Sequence, residues 1–131
     1  MQRRTYLQVL AAGVVLASHP VRAQERESVT LEEARSALAA GRRLVDVREA
    51  EEHAGGVAPG AQRLPMSQLA QRLPELGSAK DEPLLLICRT QNRSRATAKR
   101  LREMGYTRVQ FVEGGMQGWQ ARGWPMQQPS D

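Results

Sequence analysis

The stretch LLLICRTQNRSRATAKRLREMG, residues 84–105, runs from an unbroken aliphatic segment into a polar loop and then into a helical pattern. Leu84 to Cys88 does not alternate between apolar and polar residues. It therefore reads as a strand buried on both faces, at the centre of a parallel sheet. Ser94 to Met104 predicts a helix closed by Gly105, with Ala98 and Leu101 on one face and Arg95, Lys99 and Arg102 on a solvated one. A buried strand feeding a helix is half of a strand–helix–strand unit, and the rest of the chain repeats the alternation.

Towards the N-terminus, Ser28-Val29 reads as a short edge strand. Thr30-Leu31-Glu32-Glu33 has the form of a capping box, with Thr30 as N-cap and Glu33 three residues on. Leu31, Ala34 and Leu38 then recur at helical spacing up to Gly41. Leu44 to Val47 predicts a strand, Glu52 to Pro65 a Gly/Pro-rich loop, and Ser67 to about Pro74 or Gly77 a short helix. Towards the C-terminus come a strand over 108–112, a Gly114-Gly115 turn, a short helix over 116–122 and a polar, frayed tail over 127–131. Strands alternating with helices point to a three-layer α/β domain with a mostly parallel sheet.

The 131 residues suit one such domain, with 40% hydrophobic and 25% charged residues. The formal charge is +5, from 19 basic and 14 acidic residues. Arg3, Arg4 and Arg22 lie in residues 1–23, which hold no acid, so the remainder is nearly balanced. With no basic patch interleaved with aromatics, nucleic acid is not an expected partner. Residues 1–23 read as an export signal: Arg3-Arg4, an apolar run from Leu7 to Ala17, and small residues around Val21-Arg22-Ala23 before a cut after Ala23. The run is too short to span ~30 Å of hydrocarbon, so no membrane insertion is expected after cleavage. Arg3-Arg4-Thr5-Tyr6-Leu7 fits a twin-arginine route as well as the general one. Either places the mature protein outside the cytoplasm, in the periplasm of a two-membrane host. Residues 24–27 are then a linker and 28–126 the domain.

Cys88 is the one cysteine in the chain. It cannot form an internal disulfide, and in an oxidising compartment a thiol must be sheltered or used. In open parallel sheets ligands bind beyond the carboxyl ends of the strands, where Cys88 sits. The following loop can turn its N–H groups towards one point, a helix N-terminus adds partial positive charge, and Arg89 and Arg93 add full charges. Such a setting favours the thiolate, the nucleophilic form. An anion cradle around a thiolate admits phosphoryl or sulfur transfer. Cysteine phosphatases resemble H-C-x-x-x-x-x-R; here Ile87 replaces the histidine and Ser94 the arginine, so the loop is a residue short. The tighter ring suits a single transferable sulfur atom.

Val45-Asp46-Val47-Arg48-Glu49, then Glu52 with Gly56 and Pro59-Gly60-Ala61, then Cys88 to Ser94, then Glu113-Gly114-Gly115 with Trp119 and Gly123-Trp124-Pro125, together resemble a single-domain rhodanese over about residues 28–126. The resemblance implies a central, mostly parallel five-stranded sheet flanked by helices, and a thiosulfate sulfurtransferase acting through a Cys88 persulfide. It implies Cys88 as nucleophile, and Arg89, Thr90, Gln91, Asn92 and Arg93 around the donor. Asp46, Arg48 and Ser94 are expected to support the loop. The donor is thiosulfate-like; the acceptor is cyanide, a small thiol or a thiol-bearing protein. No metal or organic cofactor is required.

Two departures from the family pattern stand out. The fourth loop residue, usually glycine, is Gln91; a left-handed backbone there would cost about 1–2 kcal/mol. That leaves a catalytically weak anion- or partner-binding module as the alternative function. The block from Gly56 to Ala61 lacks a family histidine. His53 is expected to be a solvated surface residue, and Trp119 and Trp124 packing residues.

Overall fold

The computed structural model describes residues 26–129. The expected leader over 1–23, its cleavage point and the last two residues of the tail lie outside the described residues. Among the described residues, five strands form one sheet in the order β1-β5-β4-β2-β3, comprising β1 (Ser28–Val29), β2 (Arg43–Asp46), β3 (Gln62–Arg63), β4 (Leu84–Ile87) and β5 (Val109–Val112). Every pairing between them is parallel, with β4 at the centre.

Helix α1 (Leu31–Ala39) starts where the capping box predicts. The Thr30 hydroxyl accepts from the Glu33 N–H at 3.1 Å, and the Thr30 N–H donates to the Glu33 carboxylate at 2.9 Å. Caps of this kind contribute about 1 kcal/mol. Among the described residues the other α-helices are α2 (Ala50–His53), α3 (Asn92–Glu103) and α4 (Gly115–Ala121).

The sheet divides the core in two. On one face Val45, Leu84, Leu86, Val109 and Phe111 pack with Ala98 and Leu101 of α3, and Cys88 belongs to this layer. On the other, Val29, Leu44, Leu85, Ile87 and Val112 pack with Leu31 and Ala34 of α1 and with Met116 and Trp119 of α4. β4 contributes buried residues to both layers, the reason its sequence carries no alternation. The β2–β4 register sets Asp46 beside Ile87, and the Val47 N–H donates to the Ile87 carbonyl at 2.9 Å. The segment after β2 is thereby held against the segment after β4, which begins at Cys88.

Several boundaries differ from expectation. The single helix expected from Ser67 is two 3₁₀ turns, Met66–Gln68 and Leu73–Leu76. Pro74 has no N–H to continue an α-helical ladder, so the segment resolves into short turns. The Glu52–Pro65 loop contains β3, and α2 runs into its start; a two-residue strand and a one-turn helix are too short to show a period. Helix α3 begins at Asn92, two residues early, because the Gln91 carbonyl accepts from the Arg95 N–H at 2.8 Å and closes its first turn. Gln127, expected in the free tail, pairs with Val57 through N–H···O bonds of 2.7 and 2.8 Å. No helix among the described residues is long and apolar enough to cross a membrane.

Candidate active site

Cys88 follows the last residue of β4, and its side chain turns under the first turn of α3. It is only 1% exposed. Its sulfur takes the Ser94 N–H at 3.3 Å and lies 3.4 Å from the Ser94 hydroxyl, which is also 3.3 Å from the Gln91 carbonyl. The first N–H groups of a helix have no partner within it; at α3 the sulfur occupies the acceptor position for one of them. Ser94 is itself fully buried. Its one hydroxyl proton faces two acceptors, so it can rotate to the sulfur when the thiol proton is gone.

The loop between Cys88 and α3 is held from behind by α4. The Met116 N–H donates to the Cys88 carbonyl at 2.8 Å and the Gln117 N–H to the Arg89 carbonyl at 2.9 Å. Gly115 lies so close that a Cβ on it would sit 2.5 Å from the Cys88 and Arg89 carbonyl oxygens and 2.3 Å from that of Thr90. Three successive carbonyls therefore face α4. In a planar trans peptide the next residue's N–H points opposite the carbonyl, so the N–H groups of Arg89, Thr90 and Gln91 face away from α4. Among the described residues none of the N–H groups of residues 89–93 finds a protein acceptor. A run of free donors is the backbone form of an anion cradle.

Gln91 has φ −158°, so the loop does not take a left-handed backbone there and the strain such a conformation would impose is absent. Its side-chain oxygen accepts from the Gly114 N–H at 3.0 Å and ties the loop to the start of α4. Glycine is not demanded by the backbone at this position, which removes the ground for reading Gln91 as a defect.

Arg93 is placed differently from expectation. Its guanidinium makes a two-pronged pair with Glu52, 41 residues earlier, at 2.7 Å on each prong. Its fork is committed to the protein rather than to a donor. Arg89 is exposed and forms no ion pair among the described residues. The Arg93 bonds, helped by the Glu49 N–H at 3.0 Å, lower the Glu52 carboxyl from 4.5 to about 2. Glu52 in turn raises Arg93, with a smaller contribution from the Cys88 sulfur. Because the folded value lies below the unfolded one, Glu52 contributes stability above pH 4.5 that is lost as pH falls towards about 2. Both groups are about a third exposed, 30% and 33%, so solvent screening limits the contribution to about 1 kcal/mol. In urea titrations the gap between wild type and Glu52→Gln should be constant above pH 5 and shrink below pH 4. A gap that persists unchanged at pH 2 would contradict this pairing.

Asp46 and Arg48 form a buried two-pronged pair, with contacts of 2.8–3.1 Å from Arg48 Nε and Nη2. Arg48 also reaches the Gly56 carbonyl at 2.9 Å, fastening the loop after β2. His53, expected on the surface, is 3% exposed; its Nε2 is 3.3 Å from Asp46 Oδ1, without hydrogen-bond alignment. The α2 turn places it inward, a position no local pattern announces. Trp119 is buried and donates to the Pro125 carbonyl at 2.8 Å, with Trp124 edge-on at 4.9 Å; this packing anchors α4.

Thr90 and Asn92 lie within the cradle, and no partner holds either side chain among the described residues. An open cleft of about 520 Å³ lies beside the loop, lined by Arg48, Glu52, Arg89, Met116, Gln117 and Gln120 among others. No cluster of three or more His, Cys, Asp or Glu side chains able to hold a metal forms among the described residues. Glu52 and Gly115 are the site residues to which sequence reasoning gave no role. Glu52 carries no local signal for its distant partner. The Gly114-Gly115 doublet after a buried strand was visible, but reads equally as an ordinary turn.

The chain matches the Rhodanese-like domain family over residues 30–122. It is 35% identical over 105 residues to the human thiosulfate:glutathione sulfurtransferase, covering 70% of this chain and 91% of that one. To a sulfurtransferase of Allochromatium vinosum it is 36% identical over 86 residues, covering 66% and 78%. The crystal structure of a rhodanese-like domain protein from Staphylococcus aureus superposes with TM-score 0.68 at 30% identity, covering 80% of this chain and all of that one. With a family model matched over residues 30–122 and a solved member of the same fold superposing on it, this chain belongs to the rhodanese-like domain family.

Proposed function

We propose that the protein is an exported sulfurtransferase that moves a sulfane sulfur from thiosulfate, or a similar donor, to a thiol or cyanide through a Cys88 persulfide. The observation that carries this reading is the position of the Cys88 sulfur, at the Ser94 N–H and beneath a loop whose first three carbonyls, of Cys88, Arg89 and Thr90, are turned to Gly115. The sulfurtransferase relatives support a transferase of the rhodanese type.

In the first step the Cys88 thiolate attacks the outer sulfur of thiosulfate. A bond forms between the two sulfurs, the donor's own S–S bond breaks, and its electron pair leaves with sulfite. Arg89, the uncommitted cation of the loop, pairs with the departing sulfonate. Arg93 keeps its pairing with Glu52 and acts by positioning. In the second step an acceptor thiolate, or cyanide, attacks the outer persulfide sulfur and the Cys88 thiolate leaves. Two half-reactions sharing a covalent intermediate give ping-pong kinetics.

The deep placement of Cys88 fits this order of events. Only a slender donor atom reaches a sulfur so enclosed. The persulfide then carries the reactive sulfur outward by about 2 Å, one S–S bond length, to meet a bulkier acceptor.

Intact-mass measurement after incubation with thiosulfate tests the reading. The expected result is a gain of one sulfur atom, mapped to the Cys88 peptide and removed by cyanide. An unchanged mass, or sulfur bound elsewhere, would reject it. The same measurement on protein isolated from its host reads the export step: a chain beginning at Gln24 supports cleavage after Ala23, and one retaining Met1 to Ala23 counts against it.

A further inference from the structure

We propose that a second cleft, beneath α1 at the end of the sheet away from Cys88, binds a short organic dicarboxylate. On the sheet face covered by α1, the strand residues Val29, Leu44, Leu85, Ile87 and Val112 are apolar and buried. Gln110, the register partner of Leu85, breaks that series; it is 9% exposed and its amide donates to the Arg26 carbonyl at 2.9 Å. Around it lies a cleft of about 230 Å³. That is room for roughly eight waters at ~30 Å³ each, and less than sites for drug-sized ligands offer. The ligand is therefore one of few heavy atoms.

The charges select its sign. Arg26 is paired with Glu33 at 3.2 Å. Arg42 and Arg108, which also line the cleft, form no ion pair among the described residues. The Arg42 Nε is buried and has no acceptor. A buried N–H left unpaired is costly, and a carboxylate oxygen answers it with a charge-assisted bond. Two uncompensated cations call for a dianion. Val29, Ala37 and Leu85 supply an apolar lining, which suits a short carbon chain and offers nothing to a hydrated inorganic ion. Arg42 precedes β2 and Arg108 precedes β5, whereas Cys88 follows β4. The cleft is thus separate from the sulfur chemistry, and its test does not depend on it.

Amide NMR spectra of the full chain titrated with succinate, and in parallel with sulfate, provide the test. Saturable shifts are expected at Arg42, Leu85 and Gln110, with none at residues 88–94. The double variant Arg42→Gln/Arg108→Gln should bind succinate roughly tenfold more weakly or worse, with a well-dispersed spectrum that shows it folded. The proposal is overturned by the absence of saturable shifts at those residues, by unchanged affinity in the folded double variant, or by sulfate binding as tightly as succinate.

Discussion

Cys88→Ser is expected to reduce sulfur transfer to the uncatalysed level, a fall of roughly 10⁴-fold or more. The substitution changes one atom. A serine hydroxyl in the same place is not appreciably ionised near neutral pH, and it forms no stable sulfur adduct from which an acceptor could take the sulfur. Both half-reactions are lost together. The fold should tolerate the change, because the Ser94 N–H that met the sulfur can donate to the new oxygen. A polar hydroxyl in the α3-facing layer of the core should cost only about 1–3 kcal/mol. Thiocyanate formation from thiosulfate and cyanide measures the loss, and urea unfolding monitors the fold. Turnover persisting in a folded Cys88→Ser protein would remove the thiol from the mechanism.

Gly115→Ala should also be damaging, although the residue touches neither donor nor acceptor. The new Cβ would sit 2.3–2.5 Å from three carbonyl oxygens of the Cys88 loop. All three belong to the backbone, so no side chain can swing aside; either the loop or α4 must move. Gly115 also has φ +55°, a left-handed conformation that costs a residue with a Cβ about 1–2 kcal/mol. With overpacking of about 1–3 kcal/mol added, the expected destabilisation is about 2–5 kcal/mol. Displacing the cradle by a large fraction of an ångström should lower kcat/KM with thiosulfate about 10²-fold. Gly123→Ala separates the two causes. Gly123 has φ +68° but nothing within 4 Å of a Cβ, so it should show the backbone cost alone and keep full activity. Equal activity in Gly115→Ala and Gly123→Ala would mean that contact with α4 does not shape the loop.

The amino-acid sequence by itself determined the features whose causes lie within about a dozen residues. The unalternating run into Cys88 marked the central parallel strand and with it the thiol's place at the strand end, and Thr30 and Glu33 marked the start of α1. These are legible because periodicity, capping and turn chemistry act along the chain. Only the tertiary structure decided the rest: Arg93 turned to Glu52, His53 buried beside Asp46, and Gln91 relaxed with its side chain on Gly114. It also decided that three loop carbonyls converge on Gly115. Parallel strands must be joined by crossovers, so the segments that meet at the carboxyl end of this sheet come from around residues 50, 90 and 115. A charge chooses its partner, and a peptide its direction, from whatever the crossovers bring alongside, and that neighbourhood is written in no single stretch of the chain.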